Sequence, residues 1–156
     1  MRLMIRKICE IHLQVGNLER AIEFYRRLGM RLTSESQDRR IAFFNIEEEG
    51  QSPQMIGLWE NAAGQPIDVR HFAFEVCYEE VVQAREWLQE RGIETWAVFG
   101  RDGREPIVHL GSPAASVYFR DPDGNELEFY CRLPGPTKAK FAGTPTLSEW
   151  ERAQQE

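Results

Sequence analysis

The order strand, helix, strand, strand, strand occurs twice in this chain, and no other feature restricts its fold so strongly. In the first copy, residues 8–15 (ICEIHLQV) alternate apolar Ile11, Leu13 and Val15 with polar Glu10, His12 and Gln14, the period of a half-buried strand. Asn17 then stands where a cap belongs, and Leu18, Ala21, Ile22, Phe24, Tyr25 and Leu28 form a helical stripe that Gly29 ends. Strands are predicted at about 30–35, 39–46 and 54–60, and the acidic run EEEGQSP between the last two reads as a surface loop.

The pattern restarts after ENAAGQPID. RHFAFEV is a strand, and a helix over 79–91 turns Val81, Val82, Ala84, Trp87 and Leu88 inward and stops at Gly92. Strands are predicted near 93–99, 115–120 and 125–131, the last two joined by the turn DPDG. The fold class is therefore α+β: one βαβββ module over 1–62, a second over 63–132, and a tail over 133–156. Thr146 and Glu149 have the spacing of a capping box, so the tail carries a helix start. It has three possible fates: packing back on the body, reaching a partner chain, or fraying.

With 156 residues, 42% of them hydrophobic, the chain can fill one core or two small modules. Its net charge of −6 is spread among interspersed acids and bases, which gives nucleic acid or an anionic membrane no basic face to dock on. The opening MRLMIRKICEIHLQV lacks the apolar core of a leader, and no stretch has the roughly 18 apolar residues of a membrane span, so a soluble, cytoplasmic protein is expected. Cys9, Cys77 and Cys131 are odd in number and widely spaced, and are expected to be buried free thiols.

Strand side chains two apart share a face. Four predicted strands split the same way, leaving one face with Glu10, His12 and Gln14, then His71, Ala73 and Glu75, then Ser116, Tyr118 and Arg120, then Glu126, Glu128 and Tyr130. A solvated sheet face is usually furnished with Lys, Thr and Ser, whereas these faces collect Glu, His, Gln, Tyr and Arg. If the sheets curve, such groups converge into a polar concavity, and histidine with carboxylates is a ligand set for a divalent metal.

The segments IHLQVGNLERAIEFYRRLGM, RHFAFEV and YFRDPDGNELEF resemble the vicinal oxygen chelate superfamily, which includes glyoxalase I, fosfomycin resistance proteins and extradiol dioxygenases. The resemblance runs over residues 8–131. It implies an eight-stranded open cup around one divalent metal (iron, manganese, nickel or zinc), a small-molecule substrate and a homodimer. It places His71, five residues before Val76, and Glu128, four beyond Gly124, at metal-ligand positions. The first-module ligand position falls on Glu10, with His12 two further along the same face as the other candidate. The remaining position falls at Gly57, which offers no ligand, and alternation puts Glu60 on the other side of the strand.

Without a carboxylate at Gly57, the proton transfer of glyoxalase I has no base there, so dioxygenase-like or lyase- and transferase-like chemistry is expected ahead of isomerisation. The run from His109 through Tyr118, Asp121, Gly124 and Glu128 also resembles the extradiol ring-cleavage signature, which implies catalytic roles for Tyr118 and His109. Read by itself, His109 in EPIVHLGSP is an exposed loop histidine. Two alternatives come from other functional classes. One is a metal-free, bleomycin-resistance-type sequestering protein, with Trp59, Trp96, Phe44 and Tyr130 lining an aromatic pocket. The other is a structural dimerisation module with a vestigial site.

Overall fold

Both copies of the pattern form, each around its own mixed sheet. The computed structural model describes residues 7–46, 53–135 and 140–155. The predicted acidic loop before β4 therefore lies outside the described residues except for Pro53, as do residues 136–139 of the tail.

The first module runs β1 (Glu10–Val15), α1 (Leu18–Arg27), β2 (Arg31–Ser36), β3 (Ile41–Ile46) and β4 (Gln54–Glu60). Its four strands lie in the order β1-β4-β3-β2, with β1 parallel to β4 and the other pairs antiparallel. The alternation in β1 holds, with Leu13 and Val15 buried beside Ile56 and Leu58 of β4 and Leu18, Ala21 and Tyr25 of α1. Asn17 caps α1 as expected, its Oδ1 accepting from Arg20 N–H at 2.8 Å. A second acceptor at that helix end is Glu60 Oε2, 2.6 Å from Leu18 N. Glu60 thus faces α1, the side that alternation predicted.

The second module runs β5 (His71–Glu75), α2 (Tyr78–Glu90), β6 (Ile107–His109), β7 (Ala114–Arg120) and β8 (Glu126–Arg132), in the order β5-β8-β7-β6 with β5 parallel to β8. Two predictions fail here. Residues 93–99 do not form a strand, although Thr95 bridges Phe119 and Trp96 N–H donates to Tyr118 O. The chain then leaves the edge of β7 for a tight turn and returns only at Ile107, so two separated segments share the edge that one strand was expected to fill. On α2, Val81, Ala84 and Leu88 are buried but Val82 faces solvent, one step off the stripe.

The tail packs back. Thr146 and Glu149 form the predicted capping box at the start of α3 (Leu147–Gln155), whose Leu147 and Trp150 are buried and which lies against β6. The expectation of buried thiols holds for Cys131 alone: Cys9 precedes β1 and Cys77 precedes α2, and both are exposed.

Contacts divide the chain into two compact units. One takes the residues up to Arg70 together with the β7–β8 turn Asp121–Asn125, and the other takes His71–Arg120 with everything from Glu126 onward. The turn belongs to the first unit through its side chains. Asp123 Oδ1 accepts from Gly16 N–H at 3.0 Å and from Arg20 Nη2 at 2.6 Å, and Asp121 Oδ2 accepts from the buried Tyr25 hydroxyl at 3.0 Å. Asp121 Oδ1 also accepts from the backbone N–H groups of Asp123 and Asn125, both at 2.9 Å, which fixes the turn.

Candidate metal centre

Register decides which polar side chains meet. In the second unit Ala73 of β5 pairs with Glu128 of β8, and His71 lies two residues before Ala73 on the same face. The methyl of Ala73 leaves room across the strand pair, and His71 reaches diagonally over it to place Nε2 3.1 Å from Glu128 Oε2. The Glu128 side chain is 5% exposed and that of His71 47%, so a buried anion sits behind an accessible imidazole.

The imidazole is oriented from the back. His71 Nδ1 lies 3.2 Å from the carbonyl oxygen of Glu126, which can only accept, so Nδ1 carries the proton and Nε2 presents a lone pair to the carboxylate. A lone pair facing a carboxylate oxygen at 3.1 Å is repulsive unless a positive charge is shared between them. A proton on Nε2 or a divalent metal meets that need. The separation is that of two donor atoms holding one ion through bonds of about 2.0–2.2 Å. Glu128 Oε1 points the same way: it is buried and has no hydrogen-bond partner. The residues therefore fit a divalent metal. Among the described residues no group of three or more His, Cys, Asp or Glu side chains is arranged for one.

Tyr118 and His109 complete the surroundings. Tyr118 pairs with Glu128 across β7 and β8, and its ring stacks on that of His71 with centroids 5.8 Å apart. His109 is no free loop residue; it ends β6, with Nε2 3.0 Å from Tyr118 Oη and 3.6 Å from Glu128 Oε1. Burial, then the negative charge of Glu128, raises the Tyr118 pKa well above that of an ordinary phenol, which keeps the hydroxyl protonated. Burial alone would push the Glu128 carboxyl up, but the nearby polar groups of His109, Ser116 and Tyr118 outweigh it and hold its pKa below the usual carboxylate value, although none of them lies within hydrogen-bond range of Oε1.

In the first unit Glu10 and His12 stand 3.5 Å apart on one face of β1. His12 lies opposite Gly57, its ring stacked on Trp59 with centroids 5.5 Å apart and edge-on to Phe43. A Cβ on Gly57 would come within 2.9 Å of Phe43 Cε1 and 3.1 Å of His12 Cδ2, so the rings already occupy the space a side chain at 57 would need. Of the aromatics proposed for a pocket, Phe44 lies in the core of the first unit, and Trp96 is exposed, with the Arg120 guanidinium 3.5 Å from its ring centroid. Phe99, which the sequence did not single out, stands against His109 and Tyr118.

Residues 7–129 match the model of the Glyoxalase/Bleomycin resistance protein/Dioxygenase superfamily. The chain belongs to this superfamily. It is 27% identical over 134 residues to the glyoxalase domain-containing protein RDO1 of Mycosarcoma maydis, spanning 81% of this chain and 69% of that one. It is 29% identical over 136 residues to the metallothiol transferase FosB of Staphylococcus haemolyticus, spanning 81% and 84%. Among solved structures, an integron cassette protein from the mobile metagenome of the Halifax Harbour sewage outfall matches with a TM-score of 0.67 and 27% identity, over 81% of this chain and 99% of that one. Membership agrees with the paired βαβββ modules, and the Asp-Pro-Asp-Gly-Asn run of the resemblance proves to be a structural turn in this chain.

Proposed function

We propose that this protein is a metal-dependent enzyme acting on a small oxygenated substrate, with His71 and Glu128 as two of the metal's ligands. The observation that carries the reading is the 3.1 Å approach of His71 Nε2 to a buried carboxylate, with Nδ1 tied back to a carbonyl. A bound divalent metal supplies Lewis-acid polarisation of a substrate oxygen. Glu128 contributes the fixed negative charge, and His71 the accessible neutral donor. Tyr118, kept protonated by its surroundings, donates a hydrogen bond to an oxygen on which negative charge develops. His109 holds the Tyr118 hydroxyl at 3.0 Å and is placed to relay its proton.

Dioxygenase-like or lyase- and transferase-like chemistry fits better than isomerisation, because Gly57 supplies no base and the space above it is filled by His12 and Phe43. The name of one relative, a metallothiol transferase, supports metal-dependent group transfer. A homodimer, implied by the resemblance, is part of the same proposal and is read by light scattering. The sequestering alternative gains nothing from Phe44, which is fully buried, while Trp96 stays 44% exposed with the Arg120 guanidinium on its ring.

The test is a titration of untagged protein with manganese, iron, nickel and zinc salts. Wild type is expected to hold about one equivalent, and Glu128→Gln to bind at least about a hundredfold more weakly while still folding. Less than about a tenth of an equivalent in wild type, or an unchanged affinity in Glu128→Gln, overturns the reading. Glu10→Ala and His12→Ala in the same titration show which of the two, if either, is the further ligand that the resemblance implies.

A further inference from the structure

We infer that Phe99 is a specificity-determining residue, an apolar wall beside His109 and Tyr118 that selects substrates carrying a planar apolar group next to the oxygen function that meets the metal held by His71 and Glu128. The inference rests on the metal-site reading and names the substrate class for it.

The backbone singles Phe99 out first. Val98 and Arg101 are bridged, with Arg101 N–H donating to Val98 O at 2.8 Å, and the two residues between them have positive φ, +50° at Phe99 and +77° at Gly100. That is the signature of a type I′ turn, whose central positions favour Asn, Asp and Gly because their backbones tolerate the left-handed region. Phenylalanine is a poor choice there on local grounds.

A compensating interaction is therefore expected, and the other non-glycine residue with positive φ among the described residues shows what one looks like. Arg40, at φ +51°, is locked by hydrogen bonds of 2.6–2.8 Å to the carboxylates of Glu19 and Glu60. Phe99 has no comparable return from the fold, since it remains 62% exposed. Its ring is instead set edge-on to His109 and Tyr118, with centroids at 5.6 and 6.1 Å. Strain held at an exposed aromatic beside a reactive cluster is what a ligand-contacting role produces.

The turn is also held in place from outside. Arg101 Nε donates to Thr144 O at 2.8 Å and its Nη2 lies 2.7 Å from Glu149 Oε2, which moors the residue after Gly100 to the start of α3. With Tyr118 stacked on His71, the rings of His71, Tyr118, His109 and Phe99 form one aromatic array. A flat apolar group meets favourable edge and face contacts there, while an aliphatic chain of the same polarity does not.

Two 2-hydroxy acids, mandelate and lactate, offer the same oxygen pair and differ in a phenyl group against a methyl. Their affinities for the manganese-loaded full-length protein are measured by calorimetry, for wild type and for Phe99→Asn. Wild type is expected to prefer mandelate by about three- to tenfold beyond any preference of the free ion, and Phe99→Asn to lose that excess. The metal-free Phe99→Asn protein is expected to melt about 3 °C or more above wild type, because the turn strain is relieved. A structural role for the ring predicts a fall instead. If manganese binds but the phenyl preference is absent, or survives in Phe99→Asn, or if the variant melts lower, the assignment of Phe99 is overturned while the metal-site reading stands. If no manganese binds, the metal-site reading falls and this inference with it.

Discussion

The two modules share a strand order and use it in opposite ways. In β1 and β4 the paired residues at the middle of the polar face are His12 and Gly57; in β5 and β8 the corresponding pair is Ala73 and Glu128. Each pair joins one large polar side chain to one small residue, so the large one can lean over its partner. The choice of strand decides the outcome. With the small residue on β5, Glu128 is free to be approached diagonally by His71. With it on β4, His12 lies flat across Gly57 among Trp59 and Phe43. Equal topology therefore gives one face on which His71, Tyr118 and Glu128 converge and one on which a histidine ring covers the glycine.

The comparison breaks most visibly at Gly57. Gly57→Ala is expected to cost about 1–3 kcal/mol in urea or thermal unfolding, since its methyl must displace the Phe43 and His12 rings. Combining Gly57→Glu with His12→Ala copies the Ala73 and Glu128 arrangement into the first module. The pair is expected to be more stable than Gly57→Glu alone, with strong coupling in the double-mutant cycle. A Gly57→Ala protein as stable as wild type would sink the account of why the modules differ.

A smaller effect sharpens the role of the β7–β8 turn. Tyr25→Phe removes the buried hydroxyl that donates to Asp121 Oδ2, but Asn125 Nδ2 still donates to the same oxygen at 2.8 Å. The expected cost is about 1 kcal/mol by chemical denaturation, and a loss of several would mean that the turn leans on Tyr25 far more than its geometry suggests.

The smallest expected effect is electrostatic. The hydrogen bond from Arg40 lowers the pKa of Glu60 from its ordinary 4.5 against the opposing effect of burial, and a hydrogen bond from the same side chain, chiefly, lowers that of Glu19 to about 2. A folded-state pKa below the unfolded one stabilises the fold above about pH 4.5, and that contribution disappears as pH falls toward about 2. Melting curves from pH 6 to about 2 should therefore fall more steeply for wild type than for Arg40→Met. Parallel curves would show that the network contributes nothing.

Much of the fold was legible because it rests on short-range pattern. The alternation of β1, the Asn17 cap and the Thr146 and Glu149 box all survive as read. Period two also put His71, Tyr118 and Glu128 on one face, since each lies on a strand long enough to show it. His109 was placed in a loop because β6 has three residues, too few to alternate, and its partner strand is what defines it. The 93–99 prediction failed for the converse reason: Thr95, Trp96, Val98 and Phe99 have strand-forming side chains, yet a turn at Phe99 and Gly100 interrupts them. Gly100 was the available signal, and a phenylalanine before it concealed the turn.

The carboxylate of Asp121 accepts from two backbone amides, the Asn125 amide and the Tyr25 hydroxyl, so all of its lone-pair directions are committed. In this chain the Asp-Pro-Asp-Gly-Asn run therefore works as a fastener, with no lone pair of Asp121 left over for a metal or a substrate. A substitution at Asp121 should therefore be read in the unfolding curve, and one at Glu128 in metal binding.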